Sequence, residues 1–185
     1  MINETMAQVA ANNSAIREMF EEGNRLRTLY GADKVFDFSL GNPYFPPPES
    51  VKTAVTEILE TMDPNTVHGY MANDGFPAVR QTVAEYINER FGDALSGDNI
   101  IMTVGAAGGL NITLKALLNP GDEVLVSAPF FLEYGHYVRN FGGVLVPVPA
   151  KEEDGFMPDI EGIRRAVTSK TKAFIINNPN NPTGV

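Results

Sequence analysis

Apolar residues recur at helical spacing through the first third of the chain. They then change to short unbroken runs separated by glycine and proline. Ile16, Met19, Phe20, Leu26, Leu29 and Tyr30 share one helical face, with Asn13 and Ser14 ahead of them and Gly31 behind. A capping residue before an amphipathic run and a glycine after it mark out a helix. Glu21 and Arg25 stand four apart, a spacing that supports the exposed face of such a helix. Residues before Asn13 read as an arm, mobile or in contact with a partner. Residues 35–40 read as a short extended segment. It enters a connector containing Pro43, Pro46, Pro47 and Pro48, too many prolines for a helix or a central strand. Val51, Val55, Ile58, Leu59 and Met62 predict a second helix. After a loop over 63–74, Pro77 opens a third helix, with Phe76, Val79, Val83, Tyr86 and Ile87 on one face and Gly92 as its stop.

From residue 100 onward the period changes. Residues 100–104 are a short apolar run, followed by Gly105, Ala106, Ala107, Gly108 and Gly109 and then by Leu110, Leu114, Leu117 and Leu118 at helical spacing. Further strands are expected at 123–127, 144–148 and 173–177. Helices are expected from about Phe131 to Phe141 and over 158–167. Pro147 cannot donate to a ladder, so its strand should end early or lie at an edge. Alternating strands and helices, with the strands nearly all apolar, predict an α/β fold. Its sheet is mostly parallel with helices on both faces, and a helical segment precedes it.

Composition narrows the function. The 185 residues suffice for a domain with a sizeable core. A net charge of −9 argues against a nucleic-acid partner. The absence of cysteine excludes disulfides and thiolate metal sites in these residues. His68 and His136 have no ligand partner at metal-binding spacing, so no metal is expected. The first residues lack the basic and apolar stretches of a signal peptide, and no apolar run is long enough for a membrane span, so the expected location is cytoplasmic.

Three stretches have the chemistry of a site. A strand running into residues 105–109 and then a helix would present unpaired backbone N–H groups and a positive dipole end, which suit an anion. The same residues equally suit a tight turn with close helix–sheet packing. Neither the Walker pattern nor the dinucleotide glycine fingerprint is present, which removes the best support for ATP or NAD. Phe130 and Phe131 follow the next strand. Phe130 reads as a core aromatic, while Phe131 suits a core position and a ligand-stacking position equally. Asn177, Asn178, Asn180 and Asn181 follow the last strand; Asn178 and Asn180 suit turn formation, and an amide there can also donate to a ligand oxygen. Ligands in open α/β sheets sit beyond the carboxyl ends of strands. An anion nest, an aromatic plate and an amide together suit a planar ring bearing a phosphate.

The sequence resembles the class I and II aminotransferases, the fold-type I enzymes that use pyridoxal phosphate. The resemblance rests on Leu40-Gly41-Asn42-Pro43, on Tyr70 followed by Gly75 and Arg80, and on Thr103-Val104-Gly105-Ala106-Ala107. It continues through Asn119-Pro120-Gly121-Asp122-Glu123-Val124, Ala128-Pro129-Phe130-Phe131 with Tyr134, and Thr171-Lys172-Ala173. It closes on Asn177 to Gly184.

That resemblance implies roles. Gly105, Ala106 and Ala107 match the turn whose amides hold the cofactor phosphate; Ala107 stands where a polar side chain often adds a contact. Phe131 matches the aromatic stacked on the pyridine ring, and Asn181 the amide bonded to the ring's phenolic oxygen. Tyr70 matches a tyrosine reaching the neighbouring subunit's cofactor phosphate, which implies a homodimer with shared sites. Gly41 matches a backbone contact to the substrate carboxylate. Residues 1–40 correspond to an N-terminal arm and helix belonging to a small domain, and residues 41–185 to an incomplete cofactor-binding large domain. The family's Schiff-base lysine, the aspartate at the pyridinium nitrogen and the carboxylate-binding arginine all follow the Asn-Pro-Thr-Gly loop. Lys151, Lys170 and Lys172 precede it, so no catalytic residue is assigned in this chain, which reads as an N-terminal fragment. The implied activity is amino transfer from an amino acid to a 2-oxo acid. Its alternatives are a β-lyase or synthase on the same fold, or a non-catalytic binding or dimerisation module.

Overall fold

The computed structural model describes residues 2, 4–11, 15–38, 41 and 45–185. It divides into two compact units, Met1–Gly69 and Tyr70–Val185.

The first unit is helical. It contains α1 (Glu4–Ala11), α2 (Ala15–Tyr30), α3 (Glu49–Thr61) and the single turn α4 (Pro64–Val67). The predicted arm is thus largely a helix, and the predicted loop over 63–74 begins with α4. A short alternation of small and apolar side chains in α1 gives too weak a stripe to be read from the sequence. The expected cap at Asn13 or Ser14 lies outside the described residues. At the other end of α2, Gly31 adopts φ 93°, and its N–H donates to the Arg27 carbonyl at 3.0 Å. On the exposed face Arg25 pairs with Glu22, at 2.6 Å. Arg27 bridges Asp37 at 2.9 Å, and a Cβ on Gly23 would sit 3.0 Å from the same carboxylate. The segment after α2 is therefore folded back on it. Asp63 caps α4, its carboxylate accepting from the Thr66 N–H at 3.1 Å.

The second unit carries α5 (Pro77–Phe91), α6 (Gly105–Leu117), β1 (Glu123–Ala128), α7 (Glu133–Arg139), β2 (Val144–Pro149), α8 (Ile160–Ala166) and β3 (Thr171–Ile175). Pro77 sits in the first turn of α5, and Gly92 ends it in the left-handed region at φ 74°. Among the described residues the sheet has the order β2-β1-β3, and both pairings are parallel.

Residues 100–104 are not a strand, which corrects the sequence expectation. Ile101 and Val104 are exposed, and no described strand lies alongside to pair with them. An apolar run alone does not make a strand; a partner ladder does.

The edge position of Pro147 is as expected, although β2 continues to Pro149. The N–H of Val144 donates to the Asp122 carbonyl, and that of Ala150 to the Ala128 carbonyl. Alternation then turns positions 147 and 149 outward, where a missing N–H costs nothing and the edge is closed to further pairing.

Helices cover both faces of this sheet. A Cβ on Gly135 of α7 would meet Leu145 at 3.9 Å, and one on Gly162 of α8 would meet Val148 at 3.1 Å. Leu145 and Val148 are an odd number of residues apart, so they point to opposite faces. The buried cluster on the α7 side joins Leu114, Val124 and Val138, with Leu118, Tyr137, Phe141, Leu145, Ala173 and Ile175 packed against it. Gly143 is small for a reason. A Cβ there would lie 2.8 Å from Leu118 Cδ1 and 2.9 Å from Val138 Cγ1.

Candidate active site

The start of α6 is made by Thr103 and Gly105. Gly105 has φ 68°, a region where other residues are strained by about 1 kcal/mol. Its N–H donates to the Thr103 carbonyl at 2.9 Å. The Thr103 hydroxyl donates in return to the Gly105 carbonyl at 3.0 Å. That hydroxyl is the nearest candidate cap, and it is turned to a carbonyl instead. Among the described residues no side chain caps the first turn, and Gly105, Ala106 and Ala107 are exposed. The helix begins at Gly105 itself, so the small residues form its first turn rather than a loop before it. Exposed N–H groups at the positive end of a helix of 13 residues favour an anion, and alanine methyls leave room for one.

The loop after β1 brings Phe131 to the start of α7. Phe131 is half-buried. Its ring meets Tyr134 edge-on, with centroids 5.6 Å apart and planes at 84°. Tyr134 is buried, and burial holds its hydroxyl above the ordinary tyrosine pKa, with Tyr137 acting in the same direction. Phe131 is thus fixed in orientation from one side. Phe130 is half-buried too.

The loop after β3 is fastened to the loop after β1. Asn180 Nδ2 donates to the Pro129 carbonyl at 3.0 Å and to Thr183 Oγ1 at 2.9 Å. The Gly184 N–H donates to the Asn180 carbonyl at 2.7 Å. Asn177 Nδ2 donates to the Pro179 carbonyl at 3.1 Å. Asn180 does more than shape its own turn, because it joins the segments that bear Phe131 and Asn181. The sequence carries no sign of that bond, whose partners are 51 residues apart. Asn181 is exposed beside it.

Tyr70, the first residue of the second unit, is fully exposed. Gly41 belongs to the first unit; it is exposed, and among the described residues nothing but its own chain neighbours lies within 4 Å of where a Cβ would stand.

A cavity of about 350 Å³ lies on the α8 side of the sheet, between Met157, Ile160, Ile163, Phe174 and the ends of β1 and β3. It is apolar, and its lining includes none of Gly105, Ala106, Ala107, Phe131 or Asn181. It adjoins the two site loops through Pro129, Asn177, Asn178 and Asn180. Among the described residues no group of His, Cys, Asp and Glu could hold a metal ion, and no helix is long and apolar enough to cross a membrane.

Comparison with known proteins agrees with the fold. A crystal structure of an aminotransferase from Eubacterium rectale superposes with a TM-score of 0.93 at 38% identity, covering 98% of this chain and 46% of that one. An aspartate aminotransferase from Thermotoga maritima gives a TM-score of 0.85 at 30% identity, covering 100% and 47%. In sequence, the aspartate/prephenate aminotransferase of Thermus thermophilus is 38% identical over 178 residues, which are 96% of this chain and 43% of the relative. The chain thus spans less than half the length of the relatives it matches. The α/β fold, with its parallel sheet and helices, matches a partial large domain of that fold. Enzymes of this class depend on pyridoxal 5′-phosphate, and an uncapped helix start, an oriented aromatic and an exposed amide fit a phosphorylated pyridine ring. The family model for aminotransferase class I and II matches residues 33–185, and the chain belongs to that family.

Proposed function

We propose that the whole protein is a pyridoxal phosphate-dependent aminotransferase that moves an amino group from an amino acid to a 2-oxo acid. The single observation that carries the reading is the uncapped, exposed first turn of α6 in a chain of this family. The turn of Gly105, Ala106 and Ala107 holds the phosphate, with the N–H groups of Ala106 and Ala107 giving charge-assisted hydrogen bonds while Gly105, bonded to Thr103, sets the turn. Phe131 covers one face of the ring, held in place by Tyr134. Asn181 donates to the phenolic oxygen, and the Asn180–Pro129 bond keeps its loop beside that of Phe131. Tyr70 reaches the phosphate in the other subunit of a homodimer, and Gly41 offers its backbone to the substrate carboxylate. The bound cofactor supplies an electron sink for the reacting carbon. These residues bind and orient it, while the lysine that anchors it belongs to a part of the protein beyond Val185. In this reading residues 1–40 form part of a small domain, residues 41–185 open the large domain, and the protein is cytoplasmic.

The test is an assay of the complete gene product with pyridoxal phosphate, a panel of amino acids and a 2-oxo acid. Relatives named for aspartate and for LL-diaminopimelate make both compounds part of the panel. The reading predicts consumption of the amino acid only when the oxo acid is present, with one new amino acid formed per amino acid lost. Turnover that ignores the oxo acid would instead indicate lyase or synthase chemistry. No turnover and no cofactor binding would indicate a non-catalytic module.

A further inference from the structure

We propose that Arg80 is a positioning residue for the first turn of α6, a role that rests on the reading of that turn as the phosphate seat. The chain entering this turn, residues 100–104, is not held by a described sheet. It is held from α5. The Arg80 side chain is only 11% exposed, and its contacts to Asp74, Gly97 and Ile100 all run through one nitrogen, Nη1. That nitrogen pairs with Asp74 Oδ2 at 2.9 Å and donates to the Gly97 carbonyl at 3.0 Å and the Ile100 carbonyl at 3.5 Å. Asp98 approaches to 4.0 Å. Meanwhile Nε is buried with no partner among the described residues. A buried cation is costly unless it is paired and hydrogen-bonded, and here its partners are one carboxylate and two backbone carbonyls.

The anchoring extends to the turn. The Met102 N–H donates to the carbonyl of Asp74, the residue whose carboxylate holds Arg80, at 2.9 Å. Gly75, at φ 99°, lets that strip of backbone lie against Met102, since a Cβ would come within 2.5 Å of Met102 Cγ. Gly97, Ile100 and Met102 are therefore all pinned to one guanidinium and its partner. Thr103 then locks Gly105 through the paired bonds described above. Only Thr103 and Val104 separate the last pinned amide, that of Met102, from Gly105. Without Arg80, the N–H groups of the first turn would keep their chemistry but lose their fixed direction, which weakens a charge-assisted contact.

The test uses Arg80→Met, which keeps the length and removes the donors, and Arg80→Lys, which returns a cation with three donors. Hydrogen exchange is read over residues 100–109 and, as an internal reference, over β1. Equilibrium dialysis gives the affinities for pyridoxal phosphate and for unphosphorylated pyridoxal. Arg80→Met is expected to speed exchange over 100–109 by about tenfold with β1 unchanged. It is also expected to lower the preference for the phosphorylated compound by about tenfold. Because the contacts converge on one nitrogen, Arg80→Lys should recover most of both. Equal acceleration in β1 would make Arg80 a general stabiliser and overturn the proposal. So would unchanged exchange over 100–109 in Arg80→Met. If the unsubstituted protein does not prefer pyridoxal phosphate over pyridoxal, the phosphate reading of the turn falls, and this role falls with it.

Discussion

The two compact units use the same kind of sequence to different ends. In the first, α3 has a clear apolar stripe, yet Val51, Val55, Ile58 and Leu59 are 43–57% exposed. In the second, Val124, Leu125, Val126 and Val138 are at most 3% exposed. All of the buried apolar side chains among the described residues belong to this second unit. A helical stripe declares which side would be buried, but burial needs an opposing surface. The parallel sheet provides one on each face, and so the second unit can fix loops for chemistry while the first exposes the stripe of α3.

The sharpest way to break this comparison is a pair of truncations. Leu125→Ala should cost about 2–5 kcal/mol in denaturant unfolding, as a fully buried side chain does. Leu59→Ala on α3 should cost less than about 1 kcal/mol. Similar costs at the two positions would mean that α3 is covered as well as the sheet is. Next in size, Gly143→Ala drives a methyl against Leu118 and Val138 and should cost about 1–3 kcal/mol, read as a lowered unfolding midpoint. An unchanged midpoint would show that this corner of the core is loose.

A smaller effect is expected where the two site loops meet. Asn180→Ala removes the donor to the Pro129 carbonyl and should cost about 1 kcal/mol, with faster hydrogen exchange in both loops and unchanged exchange in β1. If only residues 180–184 loosen, Asn180 serves its own turn and does not join the loops.

The least costly change concerns pH. The Asn119 backbone N–H, donating to Asp122 Oδ2 at 2.8 Å, holds the Asp122 carboxyl below its ordinary pKa; the Asn119 side-chain amide and the charge of Lys172 act in the same direction. A depressed carboxylate contributes stability that is present above its unfolded value, about 4, and is lost as pH falls through the folded value. Asp122→Asn should therefore lower the melting temperature slightly at neutral pH and flatten its decline in acid. A parallel decline in both proteins would remove Asp122 from the account.

How much of this was legible in the sequence differs with the range of the interaction. The strands β1 and β2 stand where apolar runs end at turn residues, and α5 stands between Pro77 and Gly92. Those signals are local. β3 begins two residues before its predicted start, because pairing of Glu123 with Thr171 draws the strand back. The run at 100–104 has the composition of a strand but no described partner, a fact that no local pattern encodes. In the site, the glycine and alanine run marked the start of α6, although not that the helix begins at Gly105 itself. The bond from Asn180 to Pro129 and the convergence of three backbone groups on Arg80 and Asp74 are long-range. Composition offers nothing from which to read them.

The central claim is that the first turn of α6 seats a phosphate through backbone N–H groups. Ala106→Pro tests it most directly, since proline is tolerated in a first helical turn yet removes one donor. Affinities for pyridoxal phosphate and pyridoxal would be measured by equilibrium dialysis, with the melting temperature as a control. The account predicts about a tenfold loss for pyridoxal phosphate, no change for pyridoxal and a near-constant melting temperature. Equal affinities of the variant and the unsubstituted protein for pyridoxal phosphate would contradict it.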